Sequence, residues 1–115
     1  RYLVGSSSTY PAPVSGYITD SAAAATAMAT GVKTSNNSIA VDVDKKPLLT
    51  VLEWAKQQGK KTGVVVTSEI NHSTPAAYLA HNENRRKYKE IADSYIDDGI
   101  KADIYFASYG VYGLA

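Results

Sequence analysis

The sequence predicts an α/β fold with a mostly parallel sheet, on three observations. Helix-like and strand-like segments alternate over the second half of the chain, the order that builds parallel sheets. The run Thr62-Gly63-Val64-Val65-Val66-Thr67 is short, apolar and β-branched, as in a strand buried on both faces. At 115 residues and 44% hydrophobic content, the chain suffices for one core and fits one domain better than two.

Residues 2–16 are rich in Ser, Pro and Gly and read as loop. From Ala22 to Thr30 the composition switches to small, good helix formers. Asp20 or Ser21 would cap this helix at its start, and Gly31 would supply a left-handed cap at its end. Small residues all round it, with no charged face, predict close packing on several sides. A polar turn, Lys33 to Ser38, leads to a short apolar stretch ending at Val43. Pro47 suits the first position of a second helix, with Leu48, Val51, Leu52 and Ala55 on one face and Gly59 as its stop. After the strand at 62–67, a loop runs from Ser68 to Thr74, at the strand end where parallel sheets bind ligands. Thr74-Pro75 then reads as an N-cap followed by a first-position proline. Tyr88, Ile91, Ala92, Tyr95 and Ile96 recur at helical spacing, with Gly99 as the stop. Ile100, Ala102, Ile104 and Phe106 alternate with Lys101, Asp103 and Tyr105, a strand pattern.

Composition removes several kinds of function. Twelve basic and 11 acidic side chains leave a net charge of +1, with no basic footprint for nucleic acid. Cysteine is absent, which excludes disulfides, thiolate metal sites and a cysteine nucleophile. No apolar run approaches the roughly 20 residues that span a bilayer. The chain opens on Arg1, without a methionine or signal-like stretch, and is expected to begin inside a longer protein.

Chemistry is concentrated in three places. Ser21, in the opening turn of an alanine-rich helix, would face unpaired backbone N–H groups and the positive end of the helix dipole. On Asp20-Ser21 alone, a plain helix cap is the simpler reading. A serine hydroxyl needs a base or a metal to become a nucleophile. No serine–histidine–acid arrangement is evident, and the glycines of a hydrolase nucleophile elbow are missing around Ser21. Metal activation is the better hypothesis, yet two histidines cannot build a di-zinc site, so further ligands must lie outside these residues. The second place is Glu69-Ile70-Asn71-His72-Ser73-Thr74-Pro75, a cluster of metal- or hydrogen-bonding groups in a loop after a strand. The third is Arg85-Arg86-Lys87, where one guanidinium could pair with two phosphate oxygens at once. Plain readings of these two are a solvated turn and a wet charged surface. His81 is read as a packed histidine or one that supports a metal ligand from behind, and Trp54 is assigned to packing.

Together these residues resemble the alkaline phosphatase family. Ile18-Thr19-Asp20-Ser21-Ala22-Ala23-Ala24-Ala25-Thr26 is similar to the signature around the family's nucleophilic serine, and Ala27 to Thr34 continues it. Val64 to Arg85, with His72, Thr74-Pro75-Ala76-Ala77, Ala80-His81 and Arg85 in register, is similar to a second signature. Two motifs at matching separation are far more specific than either one. Ser35-Asn36 departs from the family's aromatic-Asn pair, which bears on packing more than chemistry. Tyr105 to Ala115 departs from the family's glycine cluster.

The resemblance implies a three-layer α/β/α fold, of which residues 1–115 would be a piece of a single larger catalytic domain. It implies hydrolysis of phosphate monoesters through a covalent phosphoserine on Ser21. Arg85 would hold two phosphate oxygens and Asp20 would orient Arg85. Thr74 would be a magnesium ligand, His72 would stand beside that magnesium, directly or through water, and Ser21 Oγ would meet a zinc. The family uses two zinc ions and one magnesium per site, and most of those ligands lie outside this chain. The isolated chain is therefore expected to be inactive. A homodimer and a periplasmic or secreted location follow from the same resemblance. Rival readings are a related metal-dependent phosphodiesterase or sulfatase, whose nucleophile is usually threonine or a modified cysteine, an inactive anion-binding fragment, and a serine esterase.

Overall fold

The computed structural model describes residues 2–97 and 102–107. Its elements run α1 (Ser21–Thr30), α2 (Val51–Gln57), β1 (Gly63–Val65), α3 (Ser73–Leu79), α4 (Tyr88–Asp97) and β2 (Ile104–Phe106), after a short 3-10 turn at Pro13–Ser15. β1 and β2 pair in parallel, with Gly63 opposite Ile104 and Val65 opposite Phe106. α3 and α4 lie between these strands in sequence, the crossover that a parallel pair requires. The predicted α/β alternation is thus present.

α1 forms where the small-residue run predicts it. Asp20 is the N-cap: its side chain accepts from the Ala23 N–H at 2.8 Å. Gly31 ends the helix at φ 77°, a left-handed conformation that favours glycine, and its N–H donates to Ala27 O. Ala22, Ala23, Ala25, Thr26 and Ala29 are buried, while Met28 is exposed. Packing therefore covers one broad side of α1, not its whole circumference. α3 lies against that side, with Ala22 and Ala76 both fully buried in the core that joins the helices. Side chains of this size let two backbones approach closely. Around them Ile39, Leu52, Ile70, Ile91 and Tyr95 complete the core, each large apolar side chain contributing on the order of 2 kcal/mol by leaving water.

Three expectations require correction. α2 begins at Val51, not Pro47, because Thr50 and Glu53 form a capping box: Thr50 Oγ1 accepts from the Glu53 N–H, and the Glu53 carboxylate accepts from the Thr50 N–H. Pro47 instead stands opposite Val41 in an antiparallel bridge. The helical stretch starting at Thr74-Pro75 is two helices. His72 occupies the cap position of α3, which puts Pro75 third, still within the turn whose N–H groups have no helical partner. Between α3 and α4, Ile39 and Asn82 exchange backbone hydrogen bonds at 2.8 and 2.9 Å, so these peptide groups are committed to a bridge and not to a helix. The strand expected to be buried on both faces shows Val65 at 76% exposure, and all of β2 is exposed. The proposed stop at Gly99 and strand start at Ile100-Lys101 lie outside the described residues, as do residues 108–115. Among the described residues, no helix is long and apolar enough to cross a membrane.

Candidate active site

The site is built at the start of α1. Ser21 is the first residue of the helix and is exposed, beside the Ser21 and Ala22 N–H groups of the first turn, the Ala23 N–H being taken by Asp20. Those groups and the dipole of a ten-residue helix favour an anion at this spot.

Asp20 is held in place by its neighbours from three directions. Its N–H donates to Asn36 Oδ1 at 3.1 Å, its Oδ1 accepts from the Ala23 N–H, and its Oδ2 accepts from the Asn37 N–H at 2.7 Å. Asn37 sits at φ 71°, a left-handed conformation that asparagine tolerates better than most residues. This turn aims the Asn37 N–H at the carboxylate.

Arg85 arrives from the other half of the chain. Ile39 pairs with Asn82, and the Arg85 N–H donates to Asn37 O at 2.8 Å, so residues 82–85 run beside the turn that grips Asp20. From there Arg85 Nη1 reaches Asp20 Oδ2 at 3.3 Å, with both side chains about one-fifth exposed. Nucleophile candidate, carboxylate and guanidinium therefore share one face of the molecule.

The 68–74 segment contributes through its end. Ser73, the first residue of α3, is buried, and its Oγ lies 2.7 Å from Ser21 Oγ. Thr74 is exposed and lines an apolar hollow with Leu52, Val64, Val66, Pro75 and Tyr78, on the β1 side of α3. His72 is half-buried, its ring 6.3 Å from the Tyr88 ring. Neither side chain hydrogen-bonds to Ser21 or Arg85 among the described residues. The structure thus gathers Asp20, Ser21, Ser73 and Arg85, with Thr74 and His72 flanking Ser73 along the chain.

Among the described residues, no three His, Cys, Asp or Glu side chains are gathered closely enough to hold an ion. A serine hydroxyl, a threonine hydroxyl and one imidazole can complete a zinc or magnesium shell but cannot constitute one, since both ions are held chiefly by carboxylates, imidazoles or water. These residues fit a partial shell.

His81 is engaged by two polar partners: Nδ1 lies 2.8 Å from Ala40 O and Nε2 2.9 Å from Glu53 Oε2. Trp54 is half exposed, which corrects its assignment to packing: it sits at the rim of a hollow between α2 and the end of α1. Ser73 belongs to the polar 69–75 cluster without a role of its own in the sequence, and Asn36 and Asn37 are site residues that the sequence does not single out. Ser73 and the asparagines carry no local pattern for such a role, although Asn37 next to a capping aspartate's partner turn is typical of positions that take a positive φ.

A family model described as alkaline phosphatase matches residues 1–106. The chain belongs to the alkaline phosphatase family. It is 61% identical over 101 residues to alkaline phosphatase 4 of Bacillus subtilis, covering 88% of this chain and 22% of that protein. Against the alkaline phosphatase of Escherichia coli it is 50% identical over 78 residues, covering 68% of this chain and 17% of the other. The structure is similar to that of a cold-active alkaline phosphatase from a psychrophilic Shewanella, with TM-score 0.82, 56% identity, and coverage of 89% of this chain and 25% of that one. A variant of TAB5 alkaline phosphatase with Mg bound is similar at TM-score 0.77 and 37% identity, covering 84% of this chain and 27% of that one. The chain thus spans about a fifth of the length of these curated relatives. Its helices and parallel strand pair are part of the α/β fold of an alkaline phosphatase.

Proposed function

We propose that residues 1–115 form the nucleophile-bearing part of a single larger catalytic domain that hydrolyses phosphate monoesters through a phosphoserine at Ser21. The observation that carries this reading is the placement of an exposed Ser21 hydroxyl at the start of α1, beside the Asp20–Arg85 pair, in a chain of the alkaline phosphatase family. The two linked motifs and the Mg-bound TAB5 relative support a metal-dependent reaction.

In the first half-reaction, Ser21 Oγ attacks phosphorus. The Oγ–P bond forms, the P–O bond to the alcohol breaks, the alcohol leaves with the electron pair and takes up a proton, and the Ser21 proton passes to solvent. Water then attacks phosphorus, the P–Oγ bond breaks, and Ser21 regains a proton as phosphate leaves. Arg85 binds two non-bridging oxygens through its planar fork and keeps hold of them as charge develops. Asp20 positions Arg85 while it caps the helix on which Ser21 stands. Ser21 Oγ would meet a zinc, and Thr74, with His72 directly or through water, would help hold magnesium. Two zinc ions and one magnesium per site would supply Lewis-acid activation of the reacting oxygens. The remaining ligands must come from other parts of the domain, so residues 1–115 alone are inactive. By the same family resemblance the whole enzyme acts in the periplasm or outside the cell, as a homodimer.

A serine at position 21, with alanines following, supports monoesters over the diester and sulfate reactions of related enzymes that use threonine or a modified cysteine. The test is trapping of phosphoenzyme from a labelled monoester by the full-length protein at acidic pH. The label should map to Ser21 and vanish in Ser21→Ala; labelling that persists in this variant sinks the reading.

A further inference from the structure

We propose that Ser73 is a positioning residue for the nucleophile, donating a hydrogen bond to Ser21 Oγ whenever that oxygen carries charge. The inference rests on the phosphoserine reading of Ser21. Ser73 Oγ lies 2.7 Å from Ser21 Oγ, and the two residues are 52 apart in sequence, so the pairing is produced by packing α3 on α1. Ser73 is 1% exposed while Ser21 is exposed, so one hydroxyl is fixed by its surroundings and the other faces the solvent where substrate arrives.

With both hydroxyls neutral, either can donate, and the bond sets the Ser21 rotamer without favouring a charge state. Once Ser21 Oγ gives up its proton to solvent, only one direction remains: Ser73 donates. A bond to an oxyanion is shorter and roughly twice as strong as one between neutral groups. When Oγ is bound to phosphorus it is an ester oxygen and a poor acceptor, so the bond weakens. It strengthens again as Oγ leaves phosphorus in the second half-reaction. No proton passes through Ser73, which stays a hydroxyl throughout. Its contribution is differential, largest where Oγ is most negative, and so it acts on rate and not on substrate binding.

The experiment uses the full-length enzyme with Ser73→Ala and Ser73→Cys, the second being close in size to serine but a weak donor. Single-turnover phosphorylation by p-nitrophenyl phosphate should slow about tenfold in both, the scale of one hydrogen bond to a charged group. Substrate affinity and melting temperature should stay near wild type. Wild-type rates in Ser73→Cys, or losses that track melting temperature and fall equally on substrate affinity, would overturn the proposal while leaving the role of Ser21 intact. Phosphoenzyme in Ser21→Ala would instead bring down the reading beneath it.

Discussion

Asp20 divides its carboxylate between two tasks: Oδ1 accepts the Ala23 N–H at 2.8 Å to start α1, and Oδ2 faces Arg85 Nη1 at 3.3 Å. The helix that presents Ser21 and the guanidinium of Arg85 are thereby referenced to one side chain. Because the pair is largely sheltered, the geometry is better maintained than in a fully exposed ion pair.

Replacing Asp20 separates the two tasks. Asp20→Asn keeps a capping oxygen and loses the charge, whereas Asp20→Ala loses both. Calorimetry should show Asp20→Ala the less stable of the two, by about 1 kcal/mol for the missing cap. Both should weaken inhibition of the full-length enzyme by inorganic phosphate, since Arg85 is no longer steered. Equal melting temperatures for the two variants would remove the cap from the account.

Arg85→Lys keeps a positive charge but not the planar fork. Phosphate inhibition should weaken about tenfold in this variant and further in Arg85→Ala, the size of one charged hydrogen bond for each step. An Arg85→Lys enzyme with wild-type phosphate affinity would show that a point charge is enough.

Thr74 and His72 are testable by direct titration of metal-free full-length enzyme with magnesium. Thr74→Val should bind magnesium more weakly, by roughly tenfold, having lost one oxygen donor. His72→Asp should bind it more tightly, since carboxylate oxygen suits magnesium better than imidazole. Unchanged isotherms in both variants would place magnesium away from these residues.

Tyr95 bears on stability at high pH. Burial, and to a lesser degree the neighbouring Tyr105, raise its phenol pKa well above the ordinary 10.0, while its OH donates to Ile70 O at 2.8 Å. In the folded chain the phenol keeps its proton at a pH where the unfolded chain releases it. Stability from this group is therefore whole below about pH 10 and declines as pH rises further. Tyr95→Phe should lower stability by about 1 kcal/mol at neutral pH and flatten the alkaline decline. Denaturant melts from pH 8 to 11 that show parallel curves for both proteins would refute this.

The alternation of helices and strands, the cap and stop of α1, and the Asp20-Ser21 and Arg85 candidates are all legible in the sequence. They depend on contacts within a turn or two, or on motifs whose residues stand close together. The start of α2 was legible too, in Thr50 and Glu53, but the proline at 47 is a competing signal and only the bridge between Val41 and Pro47 decides between them.

Tertiary structure alone decided three things: that Arg85 reaches Asp20, that α3 and α4 are separate helices, and that Ser73 meets Ser21. All three arise from pairings across long stretches of chain, between Ile39 and Asn82 and between α1 and α3. Local propensity is a sum over near neighbours and contains no information about which distant segment will satisfy a given peptide group or fill against a given alanine. Burial and hydrogen-bond satisfaction are properties of the whole packed chain, and they placed the second hydroxyl beside the first.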